Sequence, residues 1–313
     1  MILAVVLFFV GIAVLYYGAE FLVEGSSRFA ISFGIRPLVI GMTIVALATS
    51  MPEMMVSLLA SIKGSSDLAA GNIIGSNIAN VGLILGVAAV FQPVSVTRKT
   101  VLCEIPIMVG ASVLLWLCAL DGVLSAGDGL LMVASLGAFL LYCLKNARNE
   151  EGEKEIPEGM VRREKGHRKK DMLYILLGIV GLAAGAELMV RSGVFIGRSL
   201  GISEMVIGLS VIALGTSLPE LAASSVSAWR GESDLSVGNV IGSNIFNIFF
   251  VLGICALIRP LPIPASVLRF ELPVMILFST ALIPLMYRGL VLGRREGMFL
   301  LAAYLLFIWR LFW

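Results

Sequence analysis

Apolar runs, broken by short segments rich in charge, glycine or proline, recur along the whole chain. Runs of about 20 residues without strict alternation predict membrane-spanning helices. Barrel strands would instead read as alternating segments of about 10 residues. Ten such runs lie near residues 2–24, 36–62, 68–91, 101–120, 124–146, 171–190, 203–229, 235–258, 268–287 and 296–313. One long hydrophilic stretch, 147–170, divides them five and five and carries His167, the sole histidine. The first run has no basic leader and no small-residue cleavage site, so it reads as a retained span, not a removed signal.

Composition agrees with the pattern. Of 313 residues, 58% are hydrophobic and 14% charged, with a mean hydropathy of +0.98. Soluble domains carry about a quarter charged residues, so a soluble enzyme, a disordered chain and a peripheral protein held by one amphipathic helix are excluded. A formal net charge of +2 gives no basis for a nucleic-acid partner. Cys103, Cys118, Cys143 and Cys255 stand singly in apolar segments and read as core residues. With the N-terminus outside, the inner side collects 17 of the 23 basic residues, nine of them between Lys145 and Lys170. This bias places the 147–170 loop in the cytoplasm of a cell-membrane protein. There its charges act as a retention signal and contact anionic lipid.

The chain is internally duplicated. A shift of 167 residues places Gly18-Ala19-Glu20 on Gly185-Ala186-Glu187, TSMPE (49–53) on TSLPE (216–220), and GNIIGSNIAN (71–80) on GNVIGSNIFN (238–247). Across 18–80 against 185–247, 29 of 63 pairs are identical. The shift covers five spans. An odd number inverts the second copy in the membrane, which is the plan of many secondary transporters, with the substrate at the repeat interface. The predicted fold is therefore an all-α membrane protein of ten transmembrane helices in two inverted-topology repeats, 1–146 and 171–313, joined by the linker 147–170. The repeated motifs occupy 41–80 and 208–247.

Glu53 and Glu220 lie within otherwise apolar spans, where an ionisable group is costly and faces a cavity or a partner. No lysine or arginine sits at equivalent depth, so a bound cation is the natural counter-charge. Pro52 and Pro219 precede them. Proline lacks an amide hydrogen and crowds the carbonyl four residues back, so Ala48 and Gly215 lose a helical partner and the carbonyls of Ala46, Thr49, Ala213 and Thr216 turn from the axis. Freed carbonyls of broken helices coordinate Na⁺ or protons in transporters. Asn72, Ser76 and Asn80 line one helical face, and Asn239, Ser243 and Asn247 repeat it. Asn77 and Asn244 lie about 100° round the helix and read as bonded to neighbouring helices. Gly71 with Gly75, and Gly238 with Gly242, read as close-packing pairs. All the candidate ligands are oxygens. That disfavours Zn²⁺ or Cu⁺ and suits Ca²⁺ and Na⁺ as transported ions, with no cofactor.

These motifs resemble the α-repeats of the Na⁺/Ca²⁺ exchanger branch of the calcium/cation antiporter superfamily, in its compact prokaryotic form. The likeness covers essentially the whole chain. It implies Ca²⁺ held by Glu53 and Glu220 with help from Thr49 and Thr216. It further implies Na⁺ sites at Ala46, Thr49, Ser50, Glu53 and Ser76, and at Ala213, Thr216, Ser217, Glu220 and Ser243, with Asn80 and Asn247 completing the centre. Two departures stand out. Ala48 replaces the first glycine of the usual GTS and removes backbone freedom in the first repeat, and Asn247 stands where some relatives carry Asp. The proton-coupled branch carries a different, GNxxE-like signature, so TSxPE favours Na⁺. The implied function is Ca²⁺-for-Na⁺ antiport by alternating access. The alternative is a Ca²⁺/H⁺ or K⁺-dependent exchanger on the same fold.

Glu104 and Glu271 each begin an apolar run and read as first-turn carboxylates facing a helix dipole. Glu20 and Glu187 are candidates for an ion entrance, and His167 reads as solvated. A passive channel is disfavoured by the broken inverted repeat. An intramembrane hydrolase is disfavoured because no histidine or Ser-Lys pair lies in the spans, so the chain reads as a transporter, not an enzyme. Both halves of the site lie in one chain, which predicts a functional monomer.

Overall fold

The computed structural model describes residues 1–147, 168–201 and 213–312. His167, most of the 147–170 loop and the first part of the span expected at 203–229 lie outside the described residues. Helices run in the order α1 (Ile2–Phe33), α2 (Pro37–Thr49), α3 (Met51–Ile62), α4 (Leu68–Phe91), α5 (Thr100–Cys118), α6 (Ala126–Lys145), α7 (Arg168–Ser199), α8 (Ala213–Thr216), α9 (Leu218–Trp229), α10 (Ser233–Ile258), α11 (Ala265–Tyr287) and α12 (Arg294–Phe312). Among the described residues, seven are long and apolar enough to cross a membrane: α1, α4, α5, α6, α7, α10 and α11. The pair α2 and α3, bent by 47° at Ser50, is an eighth candidate.

Two helices outrun their apolar runs. α1 continues past residue 24 to Phe33, because Glu24 and Arg28 pair at i,i+4 (2.8 Å) and carry the helix through the polar turn. It stops where Gly34 adopts φ 64°, a left-handed cap that glycine takes without a Cβ penalty. α7 likewise reaches Ser199, and Gly201, the repeat partner of Gly34, has φ 76°. Each of these 32-residue helices is about 48 Å long, more than a hydrocarbon core of about 30 Å.

α1 and α7 pack along each other. The repeated Gly-Ala-Glu glycines are the reason they can: a Cβ on Gly18 would lie 2.6 Å from the Leu182 nitrogen, and one on Gly185 2.5 Å from the Leu15 nitrogen. α4 and α10 are the most deeply buried spans. α10 meets α2 backbone to backbone, since a Cβ on Gly238 would fall 2.5 Å from the Leu38 carbonyl and one on Gly242 2.5 Å from the Met42 carbonyl. The packing role read for this pair holds. The residues equivalent to Leu38 and Met42, 205 and 209, lie outside the described residues, so the partners of Gly71 and Gly75 are not described.

Short antiparallel ladders tie connecting segments of the two halves. β1 (Val94–Ser95) pairs with β4 (Val291–Leu292), and β2 (Val123–Leu124) with β3 (Leu261–Pro262). Two residues a strand leave no periodicity to read, and the apolar pattern did not show them.

Candidate ion-binding site

The two motif segments break where proline demands it, and both breaks fall on serine. Ser50, between α2 and α3, has φ −79° and ψ 2°; Ser217, between α8 and α9, has φ −89° and ψ 5°. Pro52 and Pro219 then occupy the first turn of α3 and α9, where a missing N–H costs nothing. Glu53 and Glu220 follow, each 1% exposed. The Ala46 carbonyl does not turn from the helix axis as Pro52 led one to expect: it accepts the helical bond from the Ser50 N–H (3.0 Å), with the Thr49 hydroxyl 3.3 Å away.

The carboxylates are held crosswise. Ser217 Oγ donates to Glu53 Oε1 (3.2 Å), and Ser50 Oγ donates to Glu220 Oε1 (3.3 Å), so each acid is held by the other half's serine. The second oxygens, Glu53 Oε2 and Glu220 Oε2, are buried without a protein partner. Ser76 Oγ lies 3.5 Å from Ser217 Oγ, and Ser243 Oγ lies 3.4 Å from Thr49 Oγ1. One turn further, Asn80 and Asn247 are buried, and the Oδ1 of each also lacks a partner. Four buried oxygens without a protein partner, two of them on carboxylates, suit a cation, because a buried unpaired acceptor is costly. Among the described residues no cluster of three or more His, Cys, Asp or Glu side chains occurs, so the charge at this centre rests on the two glutamates.

Comparison with known proteins places the chain in a family. The family described as "Sodium/calcium exchanger protein" matches residues 3–145 and 170–313. The chain belongs to the sodium/calcium exchanger family. It is 36% identical over 320 residues to "Inner membrane protein YrbG" of Escherichia coli (strain K12), covering 100% of this chain and 98% of that one. It is 32% identical over 338 residues to "Sodium/calcium exchanger MaX1" of Methanosarcina acetivorans, covering 97% of each. A solved structure of the sodium-calcium exchanger NCX_Mj, soaked with Na⁺ and zero Ca²⁺, superposes with a TM-score of 0.85 at 33% identity over 98% of both chains.

In this exchanger-family chain the side chains predicted from sequence pair across the two halves: Ser217 with Glu53 and Ser76, Ser50 with Glu220, and Thr49 with Ser243, while Thr216 is buried at the same break as Ser217. Ala46 lies in α2, and Ala213 lies in α8 as its first described residue. Asn72 and Asn239, read as lining the same face, are spent on structure. Asn72 Nδ2 donates to Ser57 Oγ (3.0 Å), Asn239 Nδ2 donates to Ser224 Oγ (2.9 Å), and Asn239 Oδ1 accepts from Thr49 (3.0 Å). Gly215, where the first repeat has Ala48, has a packing role. Its φ is not in the left-handed region, and a Cβ there would meet Val190 Cγ2 at 2.2 Å, so the glycine supplies room for α7, not backbone freedom.

Glu104 also departs from its reading. It ends the wide, π-helical first turn of α5, is 1% exposed, and pairs with buried Arg36 at 3.4 Å while accepting from Tyr142 Oη at 3.3 Å. Glu271 does sit in a first helical turn, because α11 is interrupted at Phe270 (φ −123°, ψ −63°) and its longer piece runs Glu271–Tyr287. Glu20 is paired with Arg230 and Glu187 with Arg191. Sequence reasoning had no signal for the Arg36 pairing, because its partner is 68 residues away.

Proposed function

We propose that this chain exchanges Ca²⁺ for Na⁺ across the membrane by alternating access. The carrying observation is the crosswise pair Glu53 and Glu220, each with one buried oxygen held by a serine of the other half and one left over. Two carboxylates neutralise one Ca²⁺. The same oxygens with Thr49, Thr216, the carbonyls of Ala46 and Ala213, and the hydroxyls of Ser50, Ser76, Ser217 and Ser243 supply neutral ligands around Na⁺. Asn80 and Asn247 close the centre. Hard cations take such all-oxygen sets.

In this reading ten spans form two inverted repeats, the segment around α8 and α9 and the helix α12 completing the eight candidate spans. Because one chain holds both halves, the monomer is the working unit. Family membership and the neutral hydroxyls around the acids favour Na⁺ over protons as the driving ion. The test is Ca²⁺ uptake into proteoliposomes with Na⁺, K⁺ or proton gradients imposed separately. Uptake with the Na⁺ gradient alone is expected. Ca²⁺ flux driven by a pH gradient without Na⁺ would replace this reading with proton coupling.

A further inference from the structure

Asn77 and Asn244 sit one residue along from the site serines, yet point to each other's helix. Asn77 Nδ2 donates to the Asn244 carbonyl (3.3 Å) and lies 3.7 Å from Met275 Sδ. Asn244 Nδ2 donates to the Asn77 carbonyl (3.3 Å) and lies 3.5 Å from Met108 Sδ. A backbone carbonyl and a thioether can only accept. Those four acceptors therefore decide which end of each amide is nitrogen. The oxygen ends face away: Asn244 Oδ1 accepts from Asn80 Nδ2 (2.9 Å), and Asn77 Oδ1 accepts from Asn247 Nδ2 (3.0 Å). The orientation of the last two amides follows, and their oxygens are the orphans noted above. All four asparagines are at most 1% exposed.

We propose that Asn77 and Asn244 are positioning residues that set the polarity of the Asn80 and Asn247 amides, turning an acceptor oxygen toward the transported cation. An amide is nearly symmetric in shape, so packing cannot tell its oxygen from its NH₂; only a hydrogen-bond chain anchored on groups of one polarity can. Turned over, Asn80 or Asn247 would aim an N–H dipole at the cation. The inference rests on the reading that these two face the ion.

The experiment measures equilibrium Ca²⁺ binding to the purified full chain. Asn77→Leu removes the acceptor that holds Asn247, and Ca²⁺ affinity should fall about ten- to hundredfold. Adding Asn247→Asp should restore most of it, because a carboxylate has an oxygen at both ends and no polarity to set. Asn247→Asp alone is measured beside it, because the added charge strengthens Ca²⁺ binding by itself: the Asn77→Leu loss should vanish in the Asn247→Asp background, and a loss of equal size in both backgrounds means packing and overturns the proposal. Asn247→Ala alone is the control. If it leaves affinity unchanged, the site reading fails. If it weakens binding while Asn77→Leu does not, the positioning role fails and the site stands. Asn244→Leu with Asn80→Asp asks the same question on the other half. Failure of both Leu variants to fold, unrepaired by the Asp partners, assigns the residues to packing and overturns the proposal.

Discussion

At Glu53 and Glu220 the charge is local to the motif and the orientation is not: each carboxylate takes its hydroxyl donor from the other half. Glu53→Gln or Glu220→Gln removes half the charge facing Ca²⁺ while keeping a hydrogen-bonding side chain. Either variant should insert, fold and lose Ca²⁺ exchange, and near-normal flux in proteoliposomes would refute the shared site. Both groups hold Ca²⁺ only when ionised, and like charges at one site couple their protonation. Affinity should therefore be full where both are ionised and fall as pH drops, with protons competing for the site. Isotherms across acid and neutral pH check this, and an unchanged Kd would contradict it. Ser76 and Ser243 supply neutral oxygens that a Ca²⁺ held by two carboxylates needs less than Na⁺ does. Ser76→Ala and Ser243→Ala should weaken Na⁺-driven flux more than equilibrium Ca²⁺ binding; equal losses would mean packing damage.

Helices meet here through missing side chains. α10 approaches α2 to backbone contact at Gly238 and Gly242, which brings Ser243 and Asn239 within reach of Thr49. Gly238→Ala would push a methyl into the Leu38 carbonyl, and overpacking of this kind costs about 1–3 kcal/mol. Thermal unfolding in detergent should show the loss, and an unshifted Tm would mean that α2 can give way. The start of α2 is also anchored, since Arg36 pairs with Glu104 on α5 and its backbone N–H donates to the Ala147 carbonyl (2.9 Å). The repeat places Ser203 where Arg36 stands, so the charged anchor belongs to the first half only.

At the scale of the molecule, the two halves interlock among the described residues: α1 on α7, α10 on α2, β1 with β4 and β2 with β3. The proposed topology, ten spans with a cytoplasmic central loop, would put both termini outside. Impermeant labelling of intact cells should reach tags at either end and miss a tag within 148–167. A C-terminal tag protected while the N-terminal one is labelled would mean an odd number of spans.

The membrane class, the duplication and the two acids were legible in the sequence because each is written locally. Spans show as apolar runs, the repeat as identities at one shift, and Glu53 and Glu220 as charges with no neighbour of opposite sign. Proline at 52 and 219 likewise announced the helix breaks, though that each falls on the serine which holds the other half's glutamate was not visible. Partnership is what only the tertiary structure decided. Ser217 and Glu53 are 164 residues apart, Thr49 and Asn239 190, and Arg36 and Glu104 68. Nothing in a residue's own flanks says which distant helix will face it. The same holds for the reason behind Gly215, which depends on the distance to Val190 on another helix. Composition sets what each segment can bury and what charge it carries, and only the packed arrangement determines which oxygens are satisfied and which remain for an ion.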